Sequence, residues 1–304
     1  MGSLKHQLIN AIDSAFGEGG HDKHSAKSSE GTGSTIYSYK ERENLKDVGT
    51  QLVNYAKTEF GVKQIKDISN AMVKGFLESK ASTCRQSTID NYTSRLCKLG
   101  NIVNRCYKSA NVVWKVKAPE SRVGAEKLRR IKMDKEDFKR VIDYAKLTDS
   151  KSKAPVALEL AGKYGLRVAE LSKMLAIDVD LGKLRLHIHE SKGGKSRDLK
   201  ILEEDREFFK KLIIGKSGED KLIEIKENSI NKWLSRNLKE KLGIDKYKDC
   251  KTGVHSIRKM AATNRYLDNI KSGLSKKEAE KEVSVWLGHG EDRKDVIINY
   301  IVLG

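Results

Sequence analysis

The stretch LRLHIHESKGGKSRDLKI, Leu184 to Ile201, decides the fold class. Leu184, Leu186 and Ile188 alternate with Arg185, His187 and His189, a period of two that marks a strand with one buried face. Gly193 and Gly194 suit a tight hairpin turn, and Leu199 and Ile201 return on the apolar face of a second strand. Outside this hairpin the apolar spacing is helical. The chain therefore reads as mainly α with one small antiparallel sheet, an α+β fold.

Upstream of the hairpin, Asp134 is placed to cap a helix that turns Phe138, Val141, Ile142 and Ala145 inward. Ala157, Leu160, Ala161 and Tyr164 line a second helix that Gly165 stops, and Val168, Leu171 and Leu175 line a third. Downstream, Phe208, Leu212, Ile230, Trp233, Leu234 and Leu238 mark further helices. Ser275 and Glu278 form a capping-box pattern ahead of Ala279, Val283 and Trp286. These elements define a domain over residues 133–304.

A helical domain over residues 35–115 precedes it. Its stripes are Leu45, Val48, Leu52, Tyr55 and Phe60; then Ala71, Phe76 and Leu77 behind Ser69 as N-cap; then Ile89, Tyr92, Leu96, Leu99, Val103 and Cys106. Residues 1–34 read as a short helix and a flexible tether. Leu4, Leu8, Ile12 and Phe16 recur once per turn, and a Gly-, Ser-, His- and Lys-rich stretch follows, so the helix is expected to fray or to dock loosely. Residues 116–132 form a basic linker in which Pro119 interrupts the helical pattern.

Lys and Arg number 60 against 42 acids, a formal charge of +18. That excess points to a polyanion, and nucleic acid first, because neutralised phosphates release condensed counterions. Arg95, Lys98, Arg122, Arg129 and Arg130 are candidate phosphate contacts, although an ordinary solvated basic face gives the same pattern. Cys84, Cys97, Cys106 and Cys250 show neither CxxC pairing nor a His/Cys cluster, which excludes a recognisable zinc site or disulfide framework. No run of about 18 apolar residues and no hydrophobic signal core occur, so no membrane partner is expected and a cytoplasmic location is.

Several residues carry chemistry. His255 and Arg258 stand as HSIR, one helical turn apart, so one can bind an oxygen while the other moves a proton. Arg167, in YGLRVAEL, follows a helix-breaking glycine at a helix start, where dipole and guanidinium fork both favour an anion, and Glu170 can hold that fork in place. Lys192 precedes the Gly193-Gly194 turn and could protonate an alkoxide, with Lys195 as its rival. His289 lies in WLGH, and Tyr300 follows. A phenol of pKa about 10 is a poor nucleophile unless guanidinium groups favour its anion and a base such as His255 takes its proton. Each residue alone has an ordinary alternative: a surface salt bridge, a solvated turn lysine, a packing tyrosine.

In this order, GLR with EL, a hairpin lysine, HxxR, LGH and a late tyrosine resemble the catalytic domain of the tyrosine recombinase (phage integrase) family over roughly residues 132–304. The region 35–115 is similar to that family's core-binding domain. The resemblance implies a site-specific recombinase of a phage or other mobile element, acting through a 3′-phosphotyrosyl intermediate without metal, ATP or other cofactor. By the same resemblance Arg167 and Arg258 clamp the scissile phosphate, Lys192 protonates the departing 5′ oxygen, His255 accepts a proton, His289 hydrogen-bonds the phosphate and Tyr300 is the nucleophile. The implied partners are double-stranded DNA half-sites, bound by a homodimer per site and a homotetramer at synapsis, with an accessory DNA-bending protein as a further candidate. A type IB-like topoisomerase and a non-catalytic DNA-binding regulator are the alternatives on the same fold. The intervals from Arg258 to His289 and from His289 to Tyr300 run longer than usual, with the extra residues assigned to Ser272–Glu278 and Gly290–Lys294.

Overall fold

Side-chain oxygens start the first helices, and apolar stripes hold them together. The computed structural model describes residues 2–17, 32–125, 131–148, 150–189, 196–248, 250–291, 293 and 297–303. They fall into two units, Met1–Glu126 and Lys127–Gly304. The first contains α1 (Leu4–Gly17), α2 (Tyr39–Phe60), α3 (Asn70–Ala81) and α4 (Gln86–Cys106). The Ser38 hydroxyl accepts the Glu41 amide at 3.2 Å and the Ser69 hydroxyl accepts the Met72 amide at 3.3 Å, each satisfying a donor that the helix leaves unpaired. Leu45, Val48, Leu52, Phe76, Leu77, Leu96, Leu99 and Val103 meet in one core. Two positions depart from the expected stripes. Ala71 is exposed, its place in the core taken by Val73, and Phe60 is half exposed at the last turn of α2.

The first helix does not dock loosely. Leu8, Ala11 and Ile12 are fully buried in the core formed by α2 and α4. The close approach depends on Gly49 of α2, where a side chain would run into Leu8. Arg42 donates to Asp13 at 2.8 Å, and the Tyr107 hydroxyl donates to the Gln7 carbonyl at 2.9 Å. Most of the tether, residues 18–31, lies outside the described residues. The front of the expected linker is also tied down. The Ser121 hydroxyl donates to the Cys84 carbonyl at 2.6 Å, and the Arg122 amide donates to the Ala81 carbonyl at 2.8 Å.

The second unit holds α5 (Lys135–Leu147), α6 (Ala154–Tyr164), α7 (Val168–Lys173), α8 (Arg206–Ile213), α9 (Glu227–Arg236), α10 (Val254–Lys271) and α11 (Lys276–Trp286). Its sheet is β1 (Val179–Asp180), β2 (Arg185–Ile188) and β3 (Arg197–Lys200), antiparallel in that order. Leu186 faces Leu199 and His187 faces Asp198 across the β2–β3 pair. Leu186, Ile188, Leu199 and Ile201 are buried, as the alternation requires. The turn itself, residues 190–195 with Lys192, lies outside the described residues. The central helix α10 buries Val254, Ile257, Met260 and Ala261. The expected cap at Asp134 is filled differently: its carboxylate binds Lys246 and makes no bond to the α5 amides. Leu175 falls beyond the end of α7, where it bridges to Lys221. Ser275 and Glu278 cap α11 reciprocally. Among the described residues no helix is long and apolar enough to cross a membrane.

Burial of α1 has a measurable consequence. Leu8→Ala should lower the stability of the first unit by about 2–5 kcal/mol in urea titrations, the cost of a cavity in a close-packed core. A loosely attached helix would change it by less than about 0.5 kcal/mol.

Candidate active site

Gly165 ends α6 with φ +59°, and a Cβ there would lie 2.5 Å from the Trp286 ring. The chain thus turns sharply into Arg167, the extended residue preceding α7. Three residues on, Glu170 is buried, and its carboxylate accepts the Arg167 amide at 2.8 Å and the Arg167 Nη1 at 2.7 Å. The same carboxylate accepts both terminal nitrogens of Arg197 on β3, at 2.9 and 3.1 Å. Arg258 Nη1 stands 3.8 Å from its second oxygen. Burial pushes the Glu170 carboxyl up. The bonds and charge of Arg197, the Arg167 amide and the charge of Arg258 outweigh it and hold the pKa at about 2. Glu170 is therefore an anion at every pH of interest.

The α10 helix supplies the next groups. Arg258 is 1% exposed. Its Nη1 donates to the Gly165 carbonyl and its Nη2 to the Leu287 carbonyl, while its buried Nε makes no hydrogen bond to a described residue. Burial and the charge of Arg167 pull its pKa down to about 10, which leaves it cationic at neutral pH. Its guanidinium carbon lies 5.3 Å from the centre of the Tyr300 ring. Tyr300 is itself buried, on a helical turn in which its amide donates to the Ile297 carbonyl at 2.8 Å. Thr263 of α10 steadies that turn: its hydroxyl accepts the Val302 amide at 3.1 Å and shares its one proton between the Lys259 carbonyl at 2.8 Å and the Tyr300 carbonyl at 3.3 Å. Lys132 adds a bond to the Val302 carbonyl at 2.8 Å.

Two imidazoles flank the phenol, with His255 5.1 Å and His289 5.4 Å from Tyr300 between ring centres. His289 follows α11 across Gly288, whose φ is +74°, and its amide donates to the Ser284 carbonyl at 2.8 Å. Arg167 Nη2 is 3.3 Å from His289 Nε2. A guanidinium can only donate, so Nε2 accepts and Nδ1 carries the proton. Burial, then the charges of Arg167, Arg258, Arg293 and Arg197, pull the His289 pKa down to about 4. The ring is neutral at pH 7. A pocket of fixed cations and a neutral imidazole beside a phenol can hold an anion and stabilise negative charge that develops next to the phenol oxygen.

Of the residues singled out in the sequence, Arg167, Glu170, His255, Arg258, His289 and Tyr300 thus come together in one unit. Lys192 lies outside the described residues, as do Arg129 and Arg130. Arg95 is half-buried on α4, and the Arg122 side chain is exposed. Lys98 is not a solvated basic residue: its ammonium donates to Glu41 at 2.6 Å. Arg197 was not singled out. Its only sequence signal is a charge on the apolar face of the strand, two residues before Leu199. Among the described residues no three His, Cys, Asp or Glu side chains form a group that could hold a metal ion.

The depressed His289 pKa fixes the sign of a pH effect. Between its ordinary pKa of about 6.5 and its folded value of about 4, the unfolded chain binds a proton that the folded chain refuses. Stability therefore falls as pH drops through that window. The contribution of Glu170 is kept down to its ordinary carboxylate range and lost only below it, toward about 2. Melting temperatures of the wild type should decline from pH 7 to pH 4.5 more steeply than those of His289→Gln; equal slopes would mean that the ring is not held among these cations.

The phage integrase family profile matches residues 132–284. A curated relative, the tyrosine recombinase XerA of Saccharolobus solfataricus, is 28% identical over 201 residues, 66% of this chain. The aligned region covers 61% of that relative's length. Among solved structures, the Tn1549 transposon integrase in complex with circular intermediate DNA is 14% identical with a TM-score of 0.62, covering 98% of this chain and 95% of that one. A lambda integrase dimer bound to a COC′ core site is 16% identical with a TM-score of 0.62, covering 91% and 92%. A lambda integrase tetramer bound to a Holliday junction is 15% identical with a TM-score of 0.60, covering 97% and 77%. At these identities the structural likeness concerns the fold. The family match spans half of the chain and takes in the helix and hairpin framework that carries Arg167 and Arg258, so the chain belongs to the phage integrase family.

Proposed function

We propose that this chain is a site-specific DNA recombinase that breaks and rejoins strands through Tyr300. The observation that carries the reading is the shared pocket: the Tyr300 ring lies 5.3 Å from the Arg258 guanidinium and 5.1 and 5.4 Å from two imidazoles. The Nε of Arg258, which makes no hydrogen bond to a described residue, and the guanidinium of Arg167 are donors for the non-bridging oxygens of a backbone phosphate. His255 takes the phenol proton as the Tyr300 oxygen attacks phosphorus. The neutral His289 gives a hydrogen bond to the phosphate from Nδ1. The bond from phosphorus to the 5′ oxygen breaks in line with the attack, and Lys192 protonates that oxygen as it leaves. The strand is then joined to Tyr300 through its 3′ phosphate. Attack by a 5′ hydroxyl, from the same or another duplex, reverses each step and restores the phosphodiester. The tyrosyl ester keeps the energy of the broken bond, so the cycle needs no ATP. Fixed arginines and a lysine supply the charge neutralisation, and the reading invokes no metal.

The partner in this reading is double-stranded DNA in the cytoplasm, in keeping with a net charge of +18. Solved proteins of the same fold include a dimer on a core site and a tetramer on a Holliday junction. These support two protomers per crossover site and four at synapsis, with an accessory DNA-bending protein shaping the site.

Duplexes selected from a random pool by binding to the protein, and then nicked beside the cleavage position, provide the test. The wild type should form a denaturant-resistant protein–DNA adduct. Tyr300→Phe should bind the same duplex and form none. Arg258→Ala should slow adduct formation by at least about 100-fold, the cost of losing one fixed donor to a charged transition state. An adduct with Tyr300→Phe would move the nucleophile elsewhere and end this reading.

A further inference from the structure

Arg197 is a largely buried cation that the reaction above does not use. It stands on β3 opposite Ile188, on the strand face that buries Leu199. Its side chain is 10% exposed. A guanidinium placed there is tolerated only if its donors are satisfied. Nε donates to the Trp286 carbonyl at 3.0 Å, and the two terminal nitrogens donate to the two oxygens of Glu170 at 2.9 and 3.1 Å. The guanidinium also fills the space left by Gly288, where a Cβ would lie 2.8 Å from Nη1.

These contacts join three pieces of chain: the start of α7, strand β3 and the end of α11. Glu170 orients the Arg167 fork. The Trp286 carbonyl ends α11, Leu287 after it accepts from Arg258, and His289 comes two residues later. We propose that Arg197 is a positioning residue of the recombinase site: it occupies Glu170 and clamps the Trp286–His289 turn, which keeps Arg258 from closing on that carboxylate and leaves it facing the phosphate. The inference rests on the recombinase reading. The mechanism is competition for one anion. Without Arg197, the cations left facing Glu170 are Arg167 at the start of its helix and Arg258 from α10. Arg258, 3.8 Å away, is the nearest cation to be drawn in. A guanidinium that closes on Glu170 turns away from the substrate, and a displacement of about 1 Å can cost about 100-fold in rate.

The test uses the full-length chain and the selected, nicked duplexes. Arg197→Ala should reduce the single-turnover adduct rate by about 100-fold and leave the dissociation constant for the duplex within about threefold. Its rate should rise on acidification below neutral pH, a limb absent from the wild type, because Glu170 has lost the partner that most strongly favours its anion and, once protonated, no longer draws Arg258 in. Adding Glu170→Gln should remove that limb and make the double variant no slower than Arg197→Ala, since both changes act on one carboxylate. Arg197→Lys, which retains one ammonium toward Glu170, should recover about tenfold of the rate; it also decides the matter should Arg197→Ala fail to fold, in which case a wild-type rate for the lysine variant overturns the proposal. A wild-type rate for Arg197→Ala overturns it directly. So does a slow Arg197→Ala with the wild-type pH profile and additive loss in the double variant, the signature of a salt bridge that only stabilises the fold. If the wild type forms no adduct, the recombinase reading itself fails; a working wild type indifferent to Arg197 sinks this inference alone.

Discussion

One buried carboxylate makes the cationic pocket possible. Arg167, Arg197 and Arg258 lie within reach of Glu170, and like charges at such distances in a dry interior would drive the three side chains apart. Glu170 offsets part of that repulsion and fixes geometry, because its two oxygens accept in directions set by two forks and a backbone amide. Backbone carbonyls do the rest for Arg258, through Gly165 and Leu287. The result is a set of cations held in place before any substrate arrives, which is where electrostatic catalysis draws its strength.

The scaffold converts this local balance into a site. On α10 the spacing of three positions brings His255 and Arg258 to one face, and Thr263, further along, reaches the backbone of the Tyr300 turn. Gly165 and Gly288 both adopt left-handed backbone where a side chain would strike Trp286 or Arg197, so the two turns that deliver Arg167 and His289 close tightly on each other.

Much of this was legible in the sequence, and the remainder was hidden for identifiable reasons. The hairpin was visible because Leu186, Ile188, Leu199 and Ile201 keep a strict period of two. The site residues were visible through the order of their motifs. The strand β1 was not, because two residues are too few to display a period. The first helix read as loose because Ala11 and Gly49 carry no apolar signal, although their smallness is what lets the helix pack. The bond from Lys98 to Glu41 joins two helices 57 positions apart, and no local spacing announces it. Arg197 was overlooked because a charge on a short strand resembles an ordinary solvent-facing residue until the third dimension puts a carboxylate beside it.

The hydroxyl of Thr263 bears on where the phenol can go. It holds the chain just after Tyr300, accepting the Val302 amide and sharing its proton between the Tyr300 and Lys259 carbonyls. A shift of the phenol through its backbone therefore costs contacts with α10, the helix that also carries His255 and Arg258, so phenol and guanidinium are tethered to one rod.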